Sequence, residues 1–428
     1  MIFQVIYLFL EMRFVLSLIL FWVCSVAFAQ SFSGTVFSAD TKQLVPFASV
    51  YLSNTSVGTT TNTQGKFFIN NFPEGIYDLI VSCMGYEPYQ TTIQSNKLNT
   101  IEIFLKPRVQ ELKEVVVKSY EKDGWSKWGK LFLDCFIGHS AYAANCIIKN
   151  TFAIKFRYDK KGRVLSAFAN EPLVIINESL GYEIKYDLVS FEYNQAKSLL
   201  FYSGYPFFTP MDTKRKGKQN RWEKKRLNTY HGSVMHFMRA IYLNKIADEK
   251  FEVRKLIKVR NEEKKRIQAI VSNKLKANAA NGKAIVRIGS NGSFNVGESE
   301  FSDSSFYYNR ILGEPDEKSI LINQLLPGDS IAYAHDSTTA VLNFTDYLQI
   351  IYREKSEPIE YAKMQMRLDA YNFQESTIQL INNKPIYITS NGMYYSGTDM
   401  LSNGFWGWNE KMATMLPFDY KPPKNKRI

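Results

Sequence analysis

The sequence predicts a mainly β, α+β protein: a small N-terminal β-sandwich followed by a larger, mostly antiparallel α+β region. Three observations predict this. Short period-two runs separated by Gly, Pro and Asn turns fill residues 31–107. The same alternation resumes from Phe152 to Phe208 and again after Ser319. A basic run, Lys214–Arg226, a helix stripe over Tyr230–Ile241 and a charged helix candidate, Asn261–Asn278, interrupt it. With 45% hydrophobic and 22% charged residues in 428, the chain is globular in composition, which excludes collagen-like, coiled-coil and disordered classes. That length holds two or three domains. Four Cys exclude a disulfide scaffold, and four His leave little for a His-rich metal site.

The first element is a leader. Phe14–Val23 is a ten-residue apolar run behind Arg13, and Ala27-Phe28-Ala29 follows as a small-x-small cleavage pattern. Residues 1–29 therefore read as a secretory signal peptide, with Met12 the more natural start. The run is too short to prefer a membrane anchor. Export to the periplasm or outer membrane of a Gram-negative cell is the expected location. Oxidising surroundings then allow a disulfide between Cys135 and Cys146, eleven residues apart, with Cys83 a buried thiol in a strand.

The second element, residues 30–107, is the sandwich. Its runs are Phe32–Phe37, Ala48–Leu52, Lys66–Ile69, Ile76–Ser82, Tyr89–Ile93 and Thr100–Leu105. Tyr77, Leu79 and Val81 alternate with Asp78, Ile80 and Ser82, which gives one clearly apolar face. The order Gly34-Thr35-Val36, Pro46-Phe47-Ala48-Ser49-Val50, Gly58-Thr59-Thr60-Thr61-Asn62, Gly65-Lys66-Phe67, Gly75-Ile76-Tyr77 and Ser82-Cys83-Met84-Gly85-Tyr86-Glu87 resembles the carboxypeptidase-regulatory-like domain. The resemblance implies a transthyretin-like (prealbumin-like) sandwich with a carbohydrate-binding-like fold, acting as a non-catalytic accessory module. Where that family often carries acids, this chain has Asn62 and Gln64, so no ion is expected at that turn.

The family's name suggests a zinc peptidase, but the residues do not. A zinc carboxypeptidase needs His-x-x-Glu and a distant third His. The residues three positions after His139, His231, His236 and His335 are Tyr142, Val234, Arg239 and Thr338. No carboxypeptidase activity, catalytic residue, metal or cofactor is therefore expected.

Residues 108–130 read as a linker and short helix. Within them, Glu111-Leu112-Lys113-Glu114-Val115-Val116-Val117 resembles the stretch that opens the plug of TonB-dependent receptors, which often follow this sandwich in exported proteins. Too few residues remain for a full receptor barrel. Trp125, Trp128, Leu131, Phe132 and Phe136 recur at helical spacing over Gly124–Phe136.

Residues 131–428 read as an α+β domain without internal repeats. The runs Phe136-Ile137-Gly138, Pro172-Leu173, Leu180-Gly181-Tyr182 and Tyr230-His231-Gly232-Ser233 resemble the region found beside this sandwich in exported Gram-negative proteins. That region implies a location and no chemistry. Tyr230, Val234, Phe237 and Ile241 form a helix stripe that Gly232-Ser233 caps.

The loudest charge feature is Lys214, Arg215, Lys216, Lys218, Arg221, Lys224, Lys225 and Arg226, with Glu223 alone opposing them. Export makes nucleic acid an unlikely partner for it, so the candidates are a solvated helix face or a patch for anionic lipid or acidic glycan. Trp406 and Trp408, flanked by glycines, are either core aromatics or a stacking platform for sugar rings. His231 and His236 are five apart, which does not place two ligands on one helix face. Ser233 lacks a Gly-x-Ser-x-Gly elbow. Paired carboxylates drawn from Glu171, Glu178, Asp336 and Asp346 would be needed for a glycan-processing enzyme.

Together these point to an exported, non-catalytic envelope protein: an accessory sandwich joined to a module that binds or scaffolds a protein, a glycan or an anionic membrane surface. A small outer-membrane β-barrel with the sandwich as adaptor is the alternative, and a glycan-processing enzyme a third reading. Nothing in the sequence fixes the oligomeric state.

Overall fold

The computed structural model describes residues 31–70, 72, 73, 75–97, 100–108, 120–280, 287, 288, 294, 295, 303–395 and 397–423. The leader, the Glu111–Val117 run and residues 424–428 lie outside the described residues. The chain divides into two compact units: residues 1–230 with 411–428, and residues 231–410.

In the first unit the sandwich forms as read. Strands β1 (Phe32–Ser38), β2 (Ser49–Leu52), β3 (Gly58–Thr60), β4 (Lys66–Ile69), β5 (Ile76–Ser82), β6 (Tyr89–Gln94) and β7 (Ile101–Leu105) build two sheets, β4-β1-β7 and β3-β2-β5-β6. All ladders are antiparallel except β1 with β7. Between the sheets lie Val36, Val50, Leu52, Leu79, Val81 and Ile103, all without solvent contact. Thr61 ties the turn region, its hydroxyl accepting from the Ala48 N–H at 2.8 Å and donating to the Val45 carbonyl at 2.9 Å.

Helix α1 (Gly124–Phe136) follows, with the bounds its aromatic spacing predicts. Its Phe132 meets Phe156 and Phe191, with ring centroids 5.7 and 4.8 Å away, and Phe136 meets Tyr186 at 5.1 Å. Those rings belong to the third sheet of this unit, made by β8 (Cys146–Ile148), β9 (Ile154–Asp159), β10 (Val164–Ala169), β11 (Leu173–Asn177), β12 (Tyr182–Asn194) and β13 (Leu199–Pro210). Its order is β8-β11-β12-β10-β9, with β13 on the other edge of β12. The runs read as 182–188 and 191–193 are one long strand, in which a β-bulge after Leu188 inserts one residue and moves the buried positions from even (Tyr182, Ile184, Tyr186) to odd (Phe191). Helix α2 (Lys216–Tyr230) carries the basic run from Lys216 onward and buries Trp222 and Leu227.

The outer face of β2 and β5 is not wet. Tyr51 and Ile80 are 3% and 0% exposed. The Tyr51 ring lies 5.0 Å from Phe207, and its hydroxyl donates to Asp187 at 2.7 Å and to the Tyr205 carbonyl at 3.2 Å. Backbone bonds run from Asn54 N–H to the Pro206 carbonyl (2.8 Å) and from Phe208 N–H to the Thr55 carbonyl (3.0 Å). Gly58 is required at this contact: a Cβ there would sit 2.7 Å from the Phe207 ring. The returning C-terminal segment closes the seam, with Phe418 N–H donating to the Asn54 carbonyl and Asp419 accepting from the Ser56 N–H at 3.0 Å.

The second unit opens with α3 (Val234–Tyr242), whose N-terminus Ser233 caps by accepting from the His236 N–H at 3.1 Å. Then come β14 (Phe251–Arg260), α4 (Glu262–Ala280), β15 (Arg287–Ile288), β16 (Phe294–Asn295), α5 (Asp303–Gly313), β17 (Glu317–Leu325), β18 (Ala332–Ala334), β19 (Thr339–Leu342), β20 (Tyr347–Ser356), α6 (Ile359–Met364), β21 (Phe373–Leu380), β22 (Ile386–Thr389), β23 (Tyr394–Tyr395), β24 (Met400–Gly404) and α7 (Phe405–Asn409). The larger sheet is β17-β14-β20-β21-β24 and the smaller is β18-β19-β22-β23. Phe237, Leu342, Leu348, Ile350, Ile378 and Trp406 form the core beneath them.

Two expectations are corrected here. The described sheets are open and hold at most six strands, so the small-barrel alternative does not stand; closure needs about eight. Among the described residues no helix is long and apolar enough to cross a membrane. Second, Cys135 and Cys146 are free thiols, as is Cys83. A separation of eleven residues permits a loop to close but does not aim two Cβ vectors at each other. Burial pushes the Cys135 thiol up to about 11 and the Cys146 thiol up to about 12.

The seam can be tested directly. Tyr51→Phe removes a donor from a carboxylate whose pKa burial already raises. A loss of about 1–3 kcal/mol of stability is expected, read as a lower urea midpoint at unchanged slope. An unchanged midpoint would mean that the pair contributes nothing to the seam.

Candidate functional site

A depression lies in the second unit, on the β21 side of the larger sheet. It has a volume of about 290 Å³ and is lined by Glu357, Tyr361, Arg367, Asn372, Glu375 and Ser376, among others. Local sequence explains its walls. Glu357 precedes Pro358, which holds it extended at the end of β20 and starts α6. Its N–H donates to the Asn372 carbonyl at 2.9 Å, joining the two sides of the loop. After α6 the chain reverses at Met366, which has φ 57°, a conformation usual at helix C-termini.

The reversal returns Arg367 to Glu357. The guanidinium grips the carboxylate with both nitrogens, Nη2 to Oε2 at 2.6 Å and Nη1 to Oε1. The Glu357 side chain is 3% exposed and that of Arg367 31%. A bidentate pair of this kind is rigid and directional. Glu375 accepts from Gln349 at 2.7 Å, and burial together with the nearby Glu357 charge raises the Tyr361 phenol. The cleft thus presents fixed donors and acceptors beside the Tyr361 and Phe373 rings.

Trp406 and Trp408 belong to the wall behind it. They are 2% and 7% exposed, inside α7. Trp408 packs on Tyr361 at 5.4 Å, and the Trp406 indole donates to the Gly232 carbonyl at 2.8 Å. The stacking-platform reading is therefore corrected: the flanking glycines let the helix fit against β21, and the rings face the core. Gly404 sits at φ 73° where a Cβ would strike the Glu375 carbonyl.

The basic run is divided. Arg226 is used structurally, donating to the Leu180 and Gly181 carbonyls at 2.7 and 2.8 Å and lying over Tyr182. Lys218 pairs with Glu178 at 3.2 Å and lies over Trp222, and Lys225 lies over the Tyr142 ring. Lys214, Arg215, Lys216, Arg221 and Lys224 remain exposed.

The acids singled out from sequence do not converge. Glu171 accepts from Asn150, Asp336 holds its own turn through Thr338, and Asp346 pairs with Lys255. Glu357 and Glu375, which do share a cleft, carried no motif. Only the Glu-Pro step after an alternating strand hinted at them.

The histidines do structural work. His236, 2% exposed, accepts the Gly232 N–H on Nδ1 (3.2 Å) and shares Nε2 with Glu249 (3.0 Å). His231 lies edge-on to it at 5.3 Å, and its carbonyl accepts from Lys355 at 3.1 Å. Burial lowers both rings, His231 to about 4. His335 packs on Tyr387, and His139 lies 4.0 Å from Asp134. Among the described residues no three His, Cys, Asp or Glu side chains cluster as metal ligands.

Residues 32–117 match the family model of the CarboxypepD_reg-like domain. The N-terminal sandwich is a CarboxypepD_reg-like domain. The match extends past residue 107 and spans the Glu111–Val117 run. No curated protein matches the chain. Among solved structures, the crystal structure of "a putative carbohydrate binding protein from Bacteroides uniformis ATCC 8492" is similar at 12% identity and a TM-score of 0.16, covering 42% of this chain and 78% of that one.

Two outcomes follow. Trp408→Ala empties a core position and is expected to cost about 3–5 kcal/mol in a chemical melt; an exposed platform would lose almost nothing. Because both histidines have lowered folded pKa values, the unfolded chain takes up protons first as pH falls. Their contribution is whole above pH 6.5 and is lost toward pH 4, so the urea midpoint should fall across that window. A His236→Gln variant that keeps the full slope would assign the effect elsewhere.

Proposed function

We propose that this chain is an exported, non-catalytic protein of the cell envelope, in which the CarboxypepD_reg-like domain is a fixed scaffold and the second unit binds a glycan. The cleft at Glu357–Arg367 carries the reading. Planar amide, carboxylate and guanidinium groups beside aromatic rings are the chemistry that orients hydroxyl-rich ligands. The same pair argues against catalysis. A glycosidase acid must reach the leaving group with a free oxygen, whereas both Glu357 oxygens are engaged by Arg367.

Export rests on the leader pattern at residues 14–29. The exposed cations Lys214, Arg215, Lys216, Arg221 and Lys224 suit an anionic envelope surface. Such attachment is screened by salt.

Binding is tested on an array of bacterial and plant oligosaccharides, followed by calorimetry on the best probe. Asn372→Ala and Glu375→Ala, both at exposed positions, are expected to weaken affinity about tenfold each, roughly 1.4 kcal/mol. Failure of every oligosaccharide to bind would remove the glycan reading. For the envelope part, cells are fractionated and membranes washed with about 1 M salt. Release by salt is expected, and a chain found in the cytoplasm with its leader intact would overturn export.

A further inference from the structure

The outermost strand of the larger sheet in the second unit is charged only at its first two residues, Glu317 and Lys318, and leaves an uncharged run beyond them at the sheet's edge. All nine residues of β17 are exposed, and among the described residues it has β14 on one side and no strand on the other. β14 pairs with β20 only as far as Leu256. Ile257–Arg260 and Glu317–Ile320 therefore continue as a two-stranded ribbon. Such a ribbon is marginal in water on its own.

Its surface is apolar on both faces. Ile320, Leu321, Ile322 and Leu325 are 47%, 38%, 38% and 51% exposed. From Ser319 to Leu325 there is no charge, Pro or Gly. Natural edges are protected by charged side chains or Pro, and uncharged β-rich segments are those that pair. The register slip toward β14 leaves Ile322, Asn323 and Gln324 opposite Lys255 alone, so this stretch is the one least engaged by its inner neighbour.

The order of side chains specifies the partner. If β17 is set antiparallel to a second copy of itself about Leu321, then Leu321 meets Leu321 and Ile320 meets Ile322. Ser319 then meets Asn323, and Lys318 meets Gln324. From Lys318 to Gln324 apolar residues face apolar ones and polar face polar; only at the two ends does Glu317 meet Leu325, and no like charges meet, which is the condition for favourable cross-strand pairs. Sliding the copies by two residues sets Lys318 against Ile322, or Ile320 against Gln324. We infer that two copies of this chain join edge to edge through β17, with a two-fold axis at Leu321, so that their larger sheets run on as one.

The inference is independent of any ligand in the cleft. An edge of this length lies at the small end of stable interfaces, below roughly 1,200 Å², so a micromolar equilibrium is expected. Sedimentation equilibrium of the chain from Gln30 to Ile428 should show mass rising from one copy toward two with concentration. Ile320→Lys and Ile322→Lys, both at exposed positions that need no repacking, should each return it to monomer. Under mild oxidation Leu321→Cys should form a disulfide-linked dimer, while Lys318→Cys, facing Gln324, should not. A monomer at about 100 µM, or a dimer that survives both Lys variants, would overturn the edge. Equal cross-linking at 318 and 321 would overturn the two-fold at Leu321.

Discussion

The first unit depends on one constraint: the sandwich has two buried faces, and a tyrosine–aspartate pair makes the second one tolerable. Tyr51 and Ile80 point out of the β2–β5 layer and away from the sandwich core. Left in water, they would be an apolar patch on a small domain. Phe207 covers Tyr51, and Asp187 takes its hydroxyl. Burying a carboxylate there is costly, which is why its pKa rises, and the hydrogen bonds from Tyr51 and Ser82 offset the cost. The backbone bridge at Thr55 and the returning Phe418–Asp419 segment then fix the register of the contact. The CarboxypepD_reg-like domain is therefore a packed layer of its unit and not a bead on a linker.

The second unit uses the same logic around a different pair. Glu357 is almost fully buried, and a lone buried carboxylate would be strongly destabilising. Arg367 reaches it only because the loop after α6 reverses at Met366, so charge pairing holds a backbone turn that propensity alone would not favour. Behind the pair, Tyr361, Phe405 and Trp408 stack into one aromatic wall. Rigidity of this kind suits recognition, where groups are held in place before a ligand arrives.

Much of this was legible in the chain. The helix Gly124–Phe136 was readable because its aromatics recur at 3.6-residue spacing, and the Ser233 cap because it precedes an apolar stripe. The sandwich was readable because each strand is short, alternating and bounded by turn residues. β14 escaped notice: Phe251–Arg260 alternates but is rich in cations and follows a helix without a turn signal. The basic run was legible as charge but not as structure. Which of its members lie against carbonyls and rings depends on what α2 packs upon.

Sequence by itself determined local matters: strand and helix periods, caps, turns, the membership of residues 32–117 in their family and the lack of a zinc-peptidase motif. These are set by side chains within a few positions of one another. Tertiary structure decided which apolar faces were covered twice, that Cys135 and Cys146 stay apart, that Trp406 and Trp408 turn inward, and that Glu357 and Arg367 meet. Each of those depends on the direction of a Cβ vector after the chain has folded back on itself. A spacing along the sequence fixes distance along the chain, but it does not fix which way two distant side chains face.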